Sequence, residues 1–287
     1  MHLFLAGSTG VIGERLVRTL TGGGHRVTAL TRRTAKAPGL RALGAEPVVA
    51  DVYDRDALIA AVRLAAPDVL LHQLTDLGAG DLAGNAALRR DGTRNLVDAA
   101  HAAGVRRMIA QSISWAYAGG YAPADEQTPL DLTAPEPRQT TVSGVAALES
   151  AVLEVAEPVV LRYGLFYGPG TWFEPDGLRA EDARAGRLTV CDDITSFVHI
   201  EDAADAAVAA LDWAPGIVNI TDDEPAPARE WMPAFCTAVG APAPGETTDT
   251  GGRADWARGA DNHLAREVLG WTPRYPSWRA GFTDGLR

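Results

Sequence analysis

The heptad Gly7-Ser8-Thr9-Gly10-Val11-Ile12-Gly13 comes directly after the apolar run His2–Ala6 and opens the amphipathic stretch Val11–Leu20. A glycine turn between a buried strand and a helix lets backbone N–H groups approach a pyrophosphate closely, and the helix N-terminus stabilises the negative charge. GxxGxxG is a weak signal in isolation. Here it stands in the strand–loop–helix context that the chemistry requires, at the head of the chain's alternating pattern. The rest of the chain must therefore supply a parallel sheet around it.

The pattern does so. Val27–Leu30, Pro47–Ala50, Val69–Leu71, Met108–Gln111 and Val159–Arg162 read as further buried strands. Helical patterns at Ala57–Leu64, Ala86–Ala103 and Val142–Val155 separate the later ones. Continuous apolar strands between helices predict an α/β fold, a Rossmann-type doubly wound parallel sheet covered on both faces. The Pro-rich, acidic stretch 121–137 reads as a long loop of the kind that borders active sites. After Tyr163 the composition changes, with Gly168-Pro169-Gly170, Pro175 and several aromatics. Residues 1–165, completed by about 196–220, are expected to form the cofactor domain, and 166–195 with 221–287 a smaller C-terminal substrate-binding lobe. Phe197–Ile200 and Ile217–Ile220 are expected to rejoin the main sheet. A short helix is expected near Ala260–Leu269.

Bulk properties exclude more than they identify. A net charge of -11 over 287 residues disfavours nucleic acid and anionic membrane surfaces as partners. The two cysteines, Cys191 and Cys236, make neither a disulfide framework nor a CxxC pair. MHLFLAG reads as a strand rather than a signal peptide, and a cytoplasmic protein, monomer or homodimer, is expected.

The end of the second strand carries Thr31-Arg32-Arg33, where dinucleotide folds often place a carboxylate for the adenosine ribose. Without a carboxylate to repel a 2′-phosphate, and with two guanidiniums able to fork onto one, the site favours NADPH/NADP+. Asp51, ending the third strand, has two readings: acceptor for the adenine amino group, or N-cap of the helix beginning near Tyr53. Val52, Leu74, Thr75, Tyr163 and Gly164 complete the candidate cofactor set. No metal site is expected.

In sequence order, GSTGVIG at 7–13, DVYDRDAL at 51–58, GTRNLVDAA at 92–100, RRMIAQSISWAYA at 106–118, LRYGLFYGPG at 161–170, SFVHIEDAADA at 196–206 and LGWTPRYPSW at 269–278 resemble the landmarks of the extended short-chain dehydrogenase/reductase (SDR) family, also called the NAD-dependent epimerase/dehydratase family. The likeness covers nearly the whole chain. It implies a catalytic set of tyrosine, lysine and serine or threonine, the first two spaced YxxxK on a helix. Here Thr141 stands at the tyrosine position and Val145 at the lysine position, followed by Glu149. No shift of register supplies the lysine, because Lys36 is the only one in the protein. Arg89 occupies the place of an asparagine that often supports the proton relay. The hydroxyl position is filled by Ser112 or Ser114, of which Ser112 fits the registration better; the plain alternative is that both cap the strand end.

Hydride transfer needs no protein acid, since the cofactor carries the hydride. What is missing is the group that protonates a developing alkoxide, a contribution of about a hundred- to ten-thousand-fold. A threonine hydroxyl is too weak an acid to replace a tuned phenol. The expectation is therefore an atypical NADPH-dependent ketoreductase acting on an aromatic polyketide ketone, angucyclinone-like, in antibiotic biosynthesis, with the proton drawn from a substrate phenol or water. Tyr117, Tyr121, Phe166, Trp172, Phe173 and Trp231 are candidate walls of a flat-ligand pocket, or else lobe core, and His199 is a candidate donor or a structural histidine. A non-catalytic NADP(H) sensor is the alternative. A nucleotide-sugar epimerase or dehydratase is less favoured, because it must first oxidise a stable alcohol.

Overall fold

A computed structural model describes residues 1–77, 81–246 and 252–287. The chain runs β1 (His2–Ala6), α1 (Val11–Gly22), β2 (Arg26–Thr31), α2 (Ala37–Ala42), β3 (Glu46–Val49), α3 (Arg55–Ala65), β4 (Val69–His72), α4 (Leu82–Ala87), α5 (Thr93–Ala103), β5 (Arg107–Ile113), α6 (Arg138–Val152) and β6 (Glu157–Tyr163). It continues through β7 (Leu165–Tyr167), α7 (Leu178–Arg184), β8 (Thr189–Val190), β9 (Ile194–Thr195), β10 (Phe197–His199), α8 (Ile200–Ala209), β11 (Gly216–Ile220), β12 (Ala226–Pro227), α9 (Ala228–Ala238), β13 (Gly245–Glu246) and α10 (Trp278–Asp284).

Seven strands form the central parallel sheet in the order β3-β2-β1-β4-β5-β6-β11. Leu5 pairs with Ala29 on one side and Leu71 on the other, and His72 with Ala110. The order reverses between β1 and β4, and a ligand crevice opens at such a switch point, beyond the carboxyl ends of the strands. Gly7 and Gln73, the residues just past β1 and β4, stand there.

The chain divides into two compact units. The first holds residues 1–112, 132–161 and 204–217. Its core joins Phe4, Ala6, Leu58, Leu70, Leu96, Met108, Leu148 and Val160, all at most 1 % exposed. Burying such side chains stabilises by roughly 1.5–3 kcal/mol each. The second unit holds 113–131, 162–203 and 218–287. Its core is built of aromatic rings, with Phe173 edge-on to Phe197, Trp231 and Phe235 at centroid distances of 5.4, 5.9 and 5.1 Å.

Four local expectations are corrected. The helix expected over Ala86–Ala103 is two helices joined by a π-helical turn, Leu88–Gly92. A Cβ on Gly92 would lie 2.8 Å from Leu88 Cδ1 and 3.3 Å from Val52 Cγ1, so the turn is packed around a residue without a side chain. Phe197–His199 does not join the main sheet: β10 pairs in parallel with β7, Phe197 opposite Leu165. The short helix near 260–269 is one π-helical turn, Leu264–Val268. Asp51 is not the N-cap of α3. Asp54 is, its Oδ1 accepting from Ala57 N at 3.1 Å, while Asp51 Oδ1 accepts from Tyr53 N in the preceding turn.

Candidate functional site

The 7–13 loop is built around two glycines. Gly7 has φ of +96°, and a Cβ there would sit 2.5 Å from the carbonyl carbon and oxygen of Gln73. Gly13, in the first turn of α1, would drive a Cβ into the Gly7 carbonyl. Gly10 N donates to Gly7 O at 3.0 Å and closes the turn. Ser8 is buried and its Oγ donates to Leu30 O at 2.7 Å, which ties the loop to β2. Ile12 is buried against the core, whereas Val11 is exposed. At the head of α1 the Gly10 cap makes no side-chain hydrogen bond, so the first-turn N–H groups face an incoming anion rather than a capping side chain.

An open cleft of about 190 Å³ adjoins this loop. Gly7, Thr9, Gly10, Thr31, Arg32, Arg33, Asp51, Val52, Leu74 and Thr75 line it, so ten of the cleft's residues come from the sequence-derived stretches. Thr31 is buried, and its Oγ1 accepts from Arg33 N at 3.2 Å; both arginines are exposed at the rim. Gln73 also lines the cleft and was missed by sequence reasoning. It is 5 % exposed, and among the described residues neither its amide oxygen nor its nitrogen has a hydrogen-bond partner. A buried, unpaired amide costs about 1–3 kcal/mol, which marks Gln73 as a ligand-facing group. Its position beside Gly7 across the β1/β4 switch was the available signal.

A second polar cluster lies in the same unit. Thr141, Val145 and Glu149 recur every fourth residue along one face of α6, and all three are buried. Ser112, near the end of β5, donates from Oγ to Glu149 Oε1 at 2.7 Å. The Ser112 hydroxyl is thus directed at Glu149 on α6. Arg89 is 5 % exposed on the π-helical turn. Burial pulls its guanidinium down to about 10, against the favourable charge of Glu149. His72 is fully buried, and burial first, then the Arg89 charge, lowers it to about 4. Its Nδ1 accepts from Leu74 N at 3.3 Å, so Nε2 carries the proton and donates to Thr93 Oγ1 at 2.8 Å.

The remaining candidates lie in the second unit. Tyr163 is buried, its hydroxyl donating to Ala203 O at 3.2 Å and its ring edge-on to Phe166 at 5.2 Å. Gly164 packs so tightly that a Cβ would meet Ser196 O at 2.7 Å. Ser114 is buried, and its N donates to Tyr163 O at 2.9 Å. Tyr117 is buried under the Arg162 guanidinium, 4.7 Å from the ring centroid, and its hydroxyl bonds Asn219 Oδ1. Phe173 and Trp231 are ring-packed core residues rather than a free pocket wall. His199 has both nitrogens engaged: Nδ1 accepts from Glu201 N, and Nε2 donates to Gly285 O at 2.8 Å. That arrangement commits both ring nitrogens to partners within the protein. Trp172 and Tyr121 are exposed, Tyr121 almost completely at 97 %. Among the described residues no cluster of His, Cys, Asp or Glu could hold a metal ion, and no helix is long and apolar enough to cross a membrane.

The arrangement can cradle a dinucleotide and shift a hydride from it. At the three positions of the usual proton-transfer set it presents Thr141, Val145 and a Ser112 already bonded to Glu149. Comparison with known proteins identifies a family and several relatives. The family model described as NAD dependent epimerase/dehydratase family matches residues 3–221. A 3-diazoavenalumate denitrifying reductase from a Streptomyces species is 44% identical over 98% of this chain and 99% of its own. A 4-hydroxy-2-methyl-3-oxo-4-farnesyl-3,4-dihydroquinoline-1-oxide ketoreductase from Stigmatella aurantiaca is 29% identical over 81% of this chain and 71% of its own. Among solved structures, the Bordetella bronchiseptica enzyme WbmG in complex with NAD superposes with a TM-score of 0.78 over 100% of this chain and 93% of that one, at 21% identity.

Proposed function

The chain belongs to the NAD dependent epimerase/dehydratase family, and from that premise we propose that it is a reductase that delivers hydride from NADPH to an aromatic small molecule whose reduction draws no proton from the protein. The observation that carries this reading is the Ser112–Glu149 hydrogen bond beside Thr141 and Val145. Together these leave neither a phenol nor an ammonium at the positions that would protonate an alkoxide. When bound, the cofactor supplies the hydride. The protein holds its pyrophosphate at the α1 N-terminus and its 2′-phosphate at Arg32 and Arg33.

The substrate class that best fits such a site is a diazo-bearing arene, the class named for the 44% identical relative. Hydride replaces dinitrogen on the ring: Ar–N2+ and NADPH give Ar–H, N2 and NADP+. No alkoxide forms in this balance, and no general acid is needed. A second reading, reduction of an aromatic polyketide ketone flanked by a phenol, is supported by the quinoline-oxide ketoreductase relative. The TxxxV replacement of YxxxK is similar to that in the ketoreductase of simocyclinone biosynthesis, which reduces an angucyclinone ketone. In this second reading a phenol beside the substrate ketone supplies the proton.

The test is NADPH oxidation with a diazo-substituted phenol and, separately, with hydroxylated quinonoid ketones, using cofactor deuterated at C4. Deuterium on the ring carbon that carried nitrogen supports the first reading, and deuterium on a carbinol carbon the second. Tight NADPH binding with no oxidation by either class would replace both with a non-catalytic dinucleotide sensor.

A further inference from the structure

The second charged group of the site is Arg89, and nothing in the dinucleotide reading uses it. Its five N–H donors find no hydrogen-bond or ion-pair partner among the described residues, although the residue is only 5 % exposed. Burying an ion without a paired counter-charge costs several kcal/mol. Glu149 attracts it but lies outside ion-pair distance, and one Glu149 oxygen already accepts from Ser112. His72, the other titratable group near it, is held neutral and bonded to Thr93. The neighbouring protein groups thus leave the guanidinium fork unused.

Its placement is specific. The π-helical turn that carries Arg89 packs against α6, the helix of Thr141, Val145 and Glu149. The preceding residue, Leu88, lines the dinucleotide cleft. Arg89 is therefore a buried cation on a turn that borders the cleft through Leu88 and packs on the helix whose expected lysine is a valine. A ribose hydroxyl is neutral and would not balance this charge, and the pyrophosphate has its own seat at α1. A planar group with two equivalent anionic oxygens matches the fork in both geometry and charge.

We propose that Arg89 binds a carboxylate of the substrate through its guanidinium, and so selects acidic aromatic molecules over their neutral esters. The identification of that ligand as the substrate rests on the reductase reading; the anion site itself does not.

The experiment titrates the full-length protein, saturated with NADP+, with 4-hydroxybenzoate and with methyl 4-hydroxybenzoate at about pH 7.5, by calorimetry. The wild type is expected to bind the acid on the order of tenfold to a hundredfold more tightly than the ester, the range of one charge-assisted contact. Arg89→Gln is expected to reduce that preference below about twofold while NADP+ affinity holds and the thermal midpoint does not fall. Arg89→Lys, which keeps the charge and loses the fork, is expected to fall between them. Equal affinity for acid and ester in the wild type, no binding of either, or an undiminished preference in Arg89→Gln overturns the proposal. NADPH oxidation is read separately. Acid selectivity without oxidation retires the reductase reading and leaves the Arg89 site standing; oxidation without acid selectivity does the reverse.

Discussion

Ser112 Oγ and Glu149 Oε1 lie 2.7 Å apart, both side chains buried, so the serine hydroxyl donates to a carboxylate. Ser112→Ala removes that donor, and the carboxylate oxygen loses a charge-assisted hydrogen bond. Loss of such a bond at a buried charged acceptor costs about 1–3 kcal/mol. The variant is expected to lose stability on that scale in urea denaturation, while its NADPH dissociation constant changes less than about twofold. A hydride-transfer rate that fell more than about a hundredfold with stability intact would give Ser112 the role of hydrogen-bond donor to the substrate carbonyl.

Arg32 and Arg33 stand exposed at the rim of the cleft, next to Thr31. Charge-assisted hydrogen bonds to a 2′-phosphate are worth roughly 1.5–3 kcal/mol each. Replacing both with alanine should therefore weaken NADPH on the order of a hundredfold or more and leave NADH nearly unchanged. Fluorescence titration with both cofactors checks it. Wild-type protein that binds NADH as tightly as NADPH removes the basis for the NADPH preference.

Gln73 gives a prediction with opposite signs in two measurements. Its amide is buried beside the Gly7 turn, with neither atom paired among the described residues. Gln73→Leu, similar in volume, removes that penalty and should stabilise the ligand-free protein by about 1 kcal/mol. If the amide serves the bound dinucleotide, the same change weakens NADP+ binding several-fold. A variant both stabler and equally good at binding would show that Gln73 has no part in holding the cofactor.

How much could be read beforehand depends on the range of the interactions. The 7–13 loop and the strand ends at 31–33, 51–52 and 74–75 were legible because strand, glycine turn and helix start are local patterns, and a doubly wound sheet brings its strand ends to one edge. The burial of Arg89 without a partner among the described residues was not. Its burial depends on a π-helical turn within an apparently regular periodicity, and the charge that acts on it belongs to a glutamate, Glu149, on a different helix. Aromatic residues were ambiguous for a related reason. Phe173 and Trp231 have the composition of a ligand wall, but their partners Phe197, Phe235 and Phe282 are spread along the chain. His199 shows the same: Gly285, which takes its Nε2 proton, lies 86 residues away.

Phe173 separates core from pocket by measurement. It is 4 % exposed and surrounded by Phe197, Trp231, Phe235 and Phe282. Phe173→Ala should destabilise the protein by about 3–5 kcal/mol, as deletion of a core ring does. Loss of substrate affinity with the urea midpoint unchanged would place the ring in the ligand site instead.

His72 predicts a pH dependence whose sign is fixed by its environment. Burial and the Arg89 charge hold it at about 4 in the folded protein, below the ordinary value of 6.5. Between those two values the unfolded chain binds a proton that the folded chain refuses. Stability due to this group is therefore full above about pH 6.5 and declines as pH falls toward 4, by up to about 1.4 kcal/mol per pH unit. His72→Gln retains a side-chain donor for Thr93 and has no such titration. The difference in unfolding free energy between wild type and variant, measured in urea from about pH 7 down to about pH 5, should move by roughly 1–2 kcal/mol against the wild type across that window. A constant difference over the same range would mean that His72 takes up its proton without resistance, and that the Arg89 charge is not felt there.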